Sequence, residues 1–296
     1  MSAAYRRHGV LMLLGASLGW STSGLFIRAI EIDTATTILW RGLAGAAGLV
    51  ALILALEGRA GLGAFGRLGR AGWAYALVSG IGMLCFIGAL QNTSVAHVAI
   101  IYATVPFAAA AGGWLFLRER PSAVAAVASA AALTGAAVMV GFGGEGHATG
   151  DVLAVMMVFA GAAMILIARA NPGMPALAAG TVSAVWAPLV CLPFATTAGL
   201  DGGTIGLLIA FGLCNTTLAL ALFIIGSRRL PVVETALLSA LEAPMTPLWV
   251  WLVFAETPSS ATLIGGAVVM GAVFWYIARA TPAGPGAARP QSETPI

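Results

Sequence analysis

The sequence predicts an all-α integral membrane protein with ten transmembrane helices, arranged as a five-plus-five inverted repeat. Three observations lead to this prediction: the 296-residue chain is 60% apolar and only 8% charged, long apolar runs recur along it, and one motif occurs twice. A soluble domain carries about 25% charged residues, so this composition excludes an ordinary soluble enzyme. At ~20 residues per span, ten helices leave only short loops.

Apolar runs bounded by Gly, Pro and charged residues define the expected helices in chain order. The first run, from Val10 to Ile30, is too long for the apolar core of a signal peptide and has no clear cleavage site. The later boundaries are turn residues or charges, such as Asn171-Pro172-Gly173. The expected spans are 10–30, 34–56, 72–91, 95–117, 122–142, 151–169, 176–196, 204–226, 232–254 and 260–279.

The arginines indicate how these helices are oriented. The chain contains no Lys, and with ten spans 12 of its 14 basic residues fall on the side of the amino terminus, the exceptions being Arg28 and Arg41. Because Lys and Arg concentrate in cytoplasmic loops, we expect both termini to be cytoplasmic. The twelve are Arg6, Arg7, Arg59, Arg67, Arg70, Arg118, Arg120, Arg169, Arg228, Arg229, Arg279 and Arg289.

One motif occurs a second time further along the chain, with identical internal spacing. Its first copy contains Trp114, Leu115, Glu119, Pro121 and Ser122, and its second contains Trp251, Leu252, Glu256, Pro258 and Ser259. Since the offset from one copy to the other holds five spans, an odd number, the second copy enters the membrane in the opposite sense. We therefore expect a first repeat at 1–146, a second at 147–280 and a disordered cytoplasmic tail at 281–296.

Two half-signatures extend this motif over nearly the whole chain. They comprise Ala89-Leu-Gln-Asn-Thr-Ser-Val-Ala96, Pro106-Phe107 and Leu115-Phe-Leu-Arg-Glu119, then Leu230-Pro231, Leu241-Glu242-Ala243-Pro244, Glu256 and Gly265. The pattern resembles the EamA-type transporters of the drug/metabolite transporter superfamily, and among them the YddG-type exporters of aromatic amino acids. Ala243 departs from the usual Leu-Glu-Pro order, which leaves the kink position in helix 9 open.

The resemblance implies a ten-helix carrier of the bacterial inner membrane with both termini cytoplasmic. It also implies a central cavity lined mostly by helices 1 to 4 and 6 to 9, with helices 5 and 10 at the periphery. An inverted repeat suits a pathway that opens alternately to either side. We therefore expect export of amino acids or similar small amphipathic metabolites, and the alternative is a proton-coupled exporter of drugs or quaternary cations.

Ionisable groups inside the hydrocarbon are costly and are therefore candidate functional residues. Glu242, near the middle of helix 9, either binds a proton or an amine or is a structural carboxylate bonded to a neighbouring helix. Arg41 lies roughly seven residues, or ~10 Å, from the end of its helix, which favours a cavity-facing or paired side chain over snorkelling. His97, at the outer entrance of helix 4, is interpreted as an ordinary entrance residue.

Three aromatic residues, Trp20, Tyr102 and Trp186, fall near mid-bilayer, where no headgroup is available for their polar atoms. An aromatic wall with a few polar groups suits a ligand with an apolar body and a polar head, although packing alone could explain each aromatic. The residues expected to line the cavity are Trp20, Ser21, Arg41, Tyr102, Trp186, Asn215, Ser239 and Glu242.

Prolines interrupt the two repeat mates, helices 4 and 9, at nearly corresponding depths. Pro106 and Pro244 each remove a backbone donor, which in lipid is tolerable only where the helix faces protein or water. We predict that these prolines form the bends of moving gates, and the alternative is that they are fixed kinks required for packing.

The sequence offers no constellation for catalysis or for a cofactor. The three cysteines lie apart in apolar runs without metal-ligand spacing, and the scattered His97, Glu234 and Glu242 form no positioned catalytic set. Gly141-Phe-Gly143-Gly144 is not a phosphate-binding loop, and no basic cluster suggests nucleic acid. The expected partners are a small-molecule substrate and the lipid bilayer, with no metal or cofactor and with a monomer as the expected state.

Overall fold

The structure is a computed structural model of the chain. It describes residues 3–93, 98, 101–140, 148–196, 199–255 and 257–279, and within these ranges all regular secondary structure is helical. His97, Glu256, the turn at 141–147 and the tail 281–296 lie outside the described residues. Six of the described helical segments are long and apolar enough to cross a membrane, and three further apolar helices are shorter.

In the first half of the chain, the described residues form six extended α-helices. They are α1 (Ala3–Ser21), α2 (Ser23–Ala29), α3 (Thr34–Glu57), α4 (Gly69–Asn92), α5 (Val105–Leu117) and α6 (Ala123–Val140). The polar joint expected at 57–71 is largely a 3₁₀ helix, Gly58–Arg67. Glycine and arginine there did not predict regular structure, but the segment packs back on α3.

The described part of the second half contains seven α-helices. They are α7 (Ala148–Ala170), α8 (Ala176–Val190), α9 (Gly202–Phe211), α10 (Leu220–Ser227), α11 (Val232–Ser239), α12 (Glu242–Phe254) and α13 (Ser260–Arg279). A π-helix, Gly212–Ala219, joins α9 to α10. The seventh expected span reaches only Val190 instead of 196, and a 3₁₀ turn at Leu192–Phe194 follows it. Pro188 and Pro193 lack the N–H groups that a continuing helix requires.

Asp33 starts α3 as an N-cap. Its Oδ1 accepts a hydrogen bond from the N–H of Thr36 at 2.8 Å, and its Oδ2 accepts from the Thr36 hydroxyl at 2.6 Å. These hydrogen bonds favour the ionised carboxylate and hold the pKa of Asp33 below its usual value. The capped turn thereby fixes where the second span begins.

Three of the expected spans differ from the prediction because they are interrupted. The span 10–30 breaks at Thr22 between α1 and α2. The span 95–117 has a turn at 103–104 before α5, and the span 232–254 has a turn at 240–241 between α11 and α12. Hydropathy averaged over a whole span does not reveal such breaks, because the segments 5–29 and 232–254 each remain apolar enough to cross a membrane.

Several element boundaries recur at the same offset that separates Trp114 from Trp251 in the repeated motif. Helices α5 and α12 each contain 13 residues, from 105 to 117 and from 242 to 254. The next helices, α6 and α13, begin at Ala123 and Ser260. Arg118 and Ala255, which end α5 and α12, have φ values of 55° and 56° and are the only described non-glycine residues with positive φ.

Small residues allow the helices to approach closely. Helix α6 packs along α13, α4 packs on α7 and α8, α3 packs on α8 and the π-helix, and α1 packs on α10, α11 and α12. At the α6–α13 contact, a Cβ at Gly265 would lie 2.3 Å from the Gly135 carbonyl oxygen. No side chain fits there, so glycine sets the distance between these two helices.

Candidate functional site

A cavity of about 120 Å³ lies where the broken helices meet. Three aromatic side chains line it, those of Trp20, Tyr102 and Phe223, together with Ser239. The remaining lining residues are small or apolar: Ala103, Val105, Pro106, Ala132, Ala136, Gly161, Met164, Ile165, Ala236, Ala240, Ala243 and Val269. The cavity therefore presents mainly hydrocarbon and aromatic surface, with few polar groups.

The first break places Pro106 at the edge of the cavity. Turn residues 103–104 precede α5, and Pro106 lies in its first turn. There the missing proline N–H costs little within α5, but it leaves the carbonyl oxygen of Tyr102 without its usual helical donor. The N–H of Phe107 bonds to the Thr104 oxygen at 2.9 Å, so the Ala103 carbonyl also loses its helical partner.

The second break, at 240–241, is separated from the first by the same offset as Trp251 from Trp114, although the offset between Pro106 and Pro244 is one residue longer. The Ala243 N–H bonds to the Ala240 oxygen at 3.3 Å instead of to that of Ser239. Pro244 follows, buried in the first turn of α12. Tyr102 and Ser239, which are related by the offset of the repeat, thus occupy matched positions at the two breaks, and both line the cavity.

Glu242 is the ionisable group at these breaks. It is the first residue of α12, where the positive end of the helix favours a negative charge. The described residues provide its carboxylate with no hydrogen-bond or ion-pair partner. Glu242 is half-buried, and a carboxylate withdrawn from water without a counter-charge is costly, so this group is available to a ligand.

Trp20 combines a cavity-lining ring with an anchored indole nitrogen. Its Nε1 donates to the backbone oxygen of Asn215 at 3.1 Å. Its ring lies 5.0 Å from that of Phe223, at an interplanar angle of 48°. Phe223 was not among the expected site residues, since one phenylalanine in a fully apolar run carries no distinguishing signal.

Asn215 and Ser21 are brought next to Trp20, but their polar atoms are used within the protein. The Asn215 Nδ2 donates to the oxygen of Gly19 at 3.1 Å, and its Oδ1 accepts from the Ser23 hydroxyl at 2.8 Å. The Ser21 hydroxyl accepts from the Trp249 Nε1 at 2.8 Å and donates to the Leu18 oxygen at 2.7 Å. Both residues hold the α1–α2 break in place.

Trp186 and Arg41, like Ser21, Asn215 and Glu242, are not among the residues that line the cavity. The Trp186 indole fills the space beside Gly80 and donates to the Ala76 oxygen at 3.0 Å. The Arg41 guanidinium lies 4.9 Å from the Phe211 ring centroid, and its Nη2 lies 3.3 Å from the Met83 sulfur. No carboxylate of the described chain pairs with Arg41, so soft and aromatic contacts hold this cation.

One end of the molecule, which we call the arginine-rich end, is closed by ion pairs around the start of α11. Glu119 Oε1 accepts from Arg169 Nε at 3.1 Å, and its Oε2 accepts from the Val232 N–H at 3.3 Å. Two residues further, Glu234 pairs with Arg6, and the Tyr276 side chain of α13 lies near its carboxylate. These contacts tie α11 to α1, α13 and the ends of α5 and α7.

Two helices that the resemblance places at the periphery contribute residues to the cavity lining. Ala132 and Ala136 of α6 and Val269 of α13 reach the cavity, whereas the resemblance assigns the fifth and tenth spans to the periphery. Small residues at these positions signal close packing as readily as a cavity wall. Among the described residues no group of three or more His, Cys, Asp or Glu is placed to hold a metal ion.

Comparison with known proteins agrees with this architecture. One solved structure, described only as "Crystal structure of protein", is similar with a TM-score of 0.78 and 19% sequence identity, over 90% of this chain and 95% of that chain. At that identity the likeness shows the fold alone. No curated protein sequence matches. Residues 7–141 match the EamA-like transporter family, so the first half of this multi-pass membrane protein is similar to EamA-like transporters.

Proposed function

We propose that this protein is a secondary transporter that exports amino acids or similar small amphipathic metabolites from the cytoplasm by alternating access. The observation that carries the proposal is the cavity between two helices broken at matched positions, 103–104 and 240–241. A site at the junction of discontinuous helices is the arrangement of many secondary carriers. Neither catalysis nor a cofactor is required for this function.

The proposal includes an inverted repeat of residues 1–146 and 147–280. Its support is that three features of the first half recur in the second at one constant offset. Helix α5 corresponds to α12, the start of α6 corresponds to the start of α13, and Arg118 corresponds to Ala255, which has the same left-handed backbone conformation. The helix contacts show the same correspondence. The offset relates the contact of α4 with α7 to the contact of α10 with α1, and it relates the two helices of the α6–α13 contact to each other. Such pairing is expected of two halves related by a two-fold axis in the membrane plane.

The proposed orientation places the arginine-rich end in the cytoplasm of a bacterium. Twelve of the 14 arginines belong to that side if ten helices span the inner membrane, in accord with the excess of Arg and Lys in cytoplasmic loops. Both termini would then be cytoplasmic, and a monomer would contain the whole pathway. Export follows when the site takes up its ligand at this end and releases it at the other.

The proposed ligand has an apolar body and an amino group. The rings of Trp20, Tyr102 and Phe223 offer the apolar body a surface, and aromatic faces also attract cations. The Glu242 carboxylate, at the start of α12 next to the lining residue Ala243, offers the amino group a negative charge that no described cation neutralises. The cavity of about 120 Å³ suits a small solute.

The test is flux of labelled amino acids in proteoliposomes containing the full chain. We expect saturable transport that Trp20→Ala and Tyr102→Ala each reduce at least ~5-fold, because a stacked aromatic surface contributes about 1 kcal/mol or more. Trp73→Ala is the matched control, since Trp73 is 59% exposed and outside the cavity lining. Absence of saturable flux with any amino acid would overturn the substrate class.

A second candidate function, proton-coupled export of drugs or quaternary cations, is favoured by one observation. Glu242 is a half-buried carboxylate without a counter-charge among the described residues, and small multidrug exporters depend on a carboxylate within the membrane. Quaternary-cation efflux that follows an imposed pH gradient and is lost in Glu242→Gln, without amino acid flux, would establish this alternative.

A further inference from the structure

A shallow open groove lies at the end of α5, on the outside of the molecule and away from the cavity. Trp114, Leu115, Arg118 and Arg120 line it, and its volume is about 430 Å³. The apolar residues face outward: Trp114 is 60% and Leu115 69% exposed. In a multi-pass membrane protein such a surface faces acyl chains, and the two arginines follow it within about one helical turn.

The two arginines of this groove are exposed, and no partner pairs with them among the described residues. The adjacent carboxylate, Glu119, is already engaged by Arg169 and by the N–H of Val232. Two free guanidinium groups next to a hydrocarbon-facing tryptophan are complementary to an anionic phosphate attached to acyl chains.

The second repeat contains the same surface without the charges. Trp251 and Leu252 are 41% and 72% exposed on α12, and Ala255 has the same left-handed backbone conformation as Arg118. Ala255 and Thr257 stand where the first repeat has Arg118 and Arg120. The repeat therefore provides an uncharged counterpart of the groove at the opposite end of the molecule.

We propose that the groove binds one anionic phospholipid, with its phosphate between Arg118 and Arg120 and its acyl chains along Trp114 and Leu115. The chemistry selects a phosphodiester with net negative charge, such as phosphatidylglycerol, over zwitterionic phosphatidylcholine. Because Ala255 and Thr257 replace the arginines in the second repeat, the lipid binds at the arginine-rich end alone. This site is independent of the transported solute.

The experiment counts lipids retained by the purified full chain in detergent, using native mass spectrometry with phosphatidylglycerol or phosphatidylcholine of matched acyl chains. We expect one tightly held phosphatidylglycerol. The double variant Arg118→Gln with Arg120→Gln should weaken its binding roughly 30-fold. Each arginine near a charged lipid surface contributes a factor of about 5, and the two factors multiply. Ala255→Arg with Thr257→Arg adds a second phosphatidylglycerol at the opposite end.

Arg59→Gln with Arg70→Gln is the matched control, since it removes two exposed arginines outside the groove. Equal loss of phosphatidylglycerol in this control would mean general charge attraction and would overturn the site. Unchanged binding in the Arg118/Arg120 variant would do the same. Glycerol 3-phosphate tests the headgroup alone: displacement of the lipid at equal concentration would show a free-phosphate site without acyl contacts.

Discussion

At the scale of single residues, Glu242 separates the two candidate mechanisms. If its carboxylate binds the amino group of the solute, Glu242→Gln removes a charge-assisted interaction of about 1.5–3 kcal/mol. The KM for amine-bearing solutes should then rise at least ~10-fold, while the residual flux keeps its response to a pH gradient. If the carboxylate carries a coupled proton, gradient-driven accumulation is lost but exchange without a gradient persists.

Both outcomes are read from initial rates in proteoliposomes with and without an imposed pH gradient. Glu57→Gln is the control, because Glu57 is exposed at the end of α3 and outside the cavity lining. Wild-type KM and wild-type gradient dependence in Glu242→Gln would contradict both mechanisms. The carboxylate would then be a structural group at the start of α12.

Asp33 offers a residue-scale prediction about stability and pH. Asp33→Ala removes the N-cap of α3 and should lower the free energy of unfolding by about 1 kcal/mol. The folded-state pKa of Asp33 is depressed by its hydrogen bonds to Thr36. Its contribution is therefore complete above the unfolded pKa of about 3.9 and is lost as the pH falls through the folded value.

Thermal unfolding in detergent from pH 7 to pH 3 measures this effect as the difference between wild type and Asp33→Ala. The difference should be constant above about pH 5 and shrink below about pH 4. Asp33→Asn is the matched variant, since asparagine caps nearly as well without titrating. A stability difference that grows on acidification would contradict the assignment.

Residue identity alone predicted only part of the candidate site. Trp20, Tyr102 and Ser239 line the cavity. For the two aromatic residues, the mid-bilayer position already requires the polar atoms to face protein. Trp186 satisfies the same criterion, yet its indole is engaged with the backbone of α4. Which neighbour receives the indole N–H depends on helix packing, and a single sequence contains no record of that.

At the scale of elements, the helical composition and most span positions follow from hydropathy, whereas the breaks depend on local chemistry. Prolines indicate bends in the predicted helices 4 and 9. The turns at 103–104 and 240–241 are separated by the offset of the repeated motif, whereas the separation of Pro106 and Pro244 is one residue longer. The turn positions are therefore not set by proline alone. The break at Thr22 has no proline and depends on Asn215 from a distant π-helix.

The α6–α13 contact yields an element-scale prediction. A Cβ at position 265 would lie 2.3 Å from the Gly135 oxygen and 2.4 Å from the Met139 nitrogen, both backbone atoms. Gly265→Ala must push the helices apart and should cost about 1–3 kcal/mol. Gly271→Ala on the same helix meets nothing within 4 Å and should be neutral or slightly stabilising.

Melting temperatures of the two variants in detergent test this contact. We expect a clear decrease for Gly265→Ala and none for Gly271→Ala. Equal melting temperatures would mean that α6 and α13 are not packed as closely as the structure places them.

At the scale of the whole molecule, α11 differs in burial from the segment that the offset of the repeated motif relates to it. Helix α11, at the arginine-rich end, is buried over its full length, with Leu238 at 0% exposure. Of the related residues 95–102, the described ones are Val98, which is buried, and Ile101 and Tyr102, which are half-buried. The cations of the two ion pairs, Arg6 and Arg169, have Gly143 and Ile32 as repeat mates, so the opposite end cannot form them.

This asymmetry predicts that the ion pairs hold the arginine-rich end closed. Glu119→Gln with Glu234→Gln should weaken both pairs and increase access to the cavity from that end. The reporter is Ser239→Cys in a chain whose three native cysteines are replaced by alanine, labelled by a membrane-impermeant thiol reagent from either side. We expect several-fold faster labelling from the arginine-rich side in the double variant, and slower labelling from the opposite side as the population shifts.

Glu57→Gln in the same reporter chain is the control for charge removal, because Glu57 forms no ion pair within the described residues. It should leave both labelling rates unchanged. Equal labelling rates from both sides of the Ser239→Cys chain with both ion pairs intact would contradict closure at one end. Faster labelling from both sides in the double variant would indicate loosening of the whole bundle, because a gate that alternates must close one side as it opens the other.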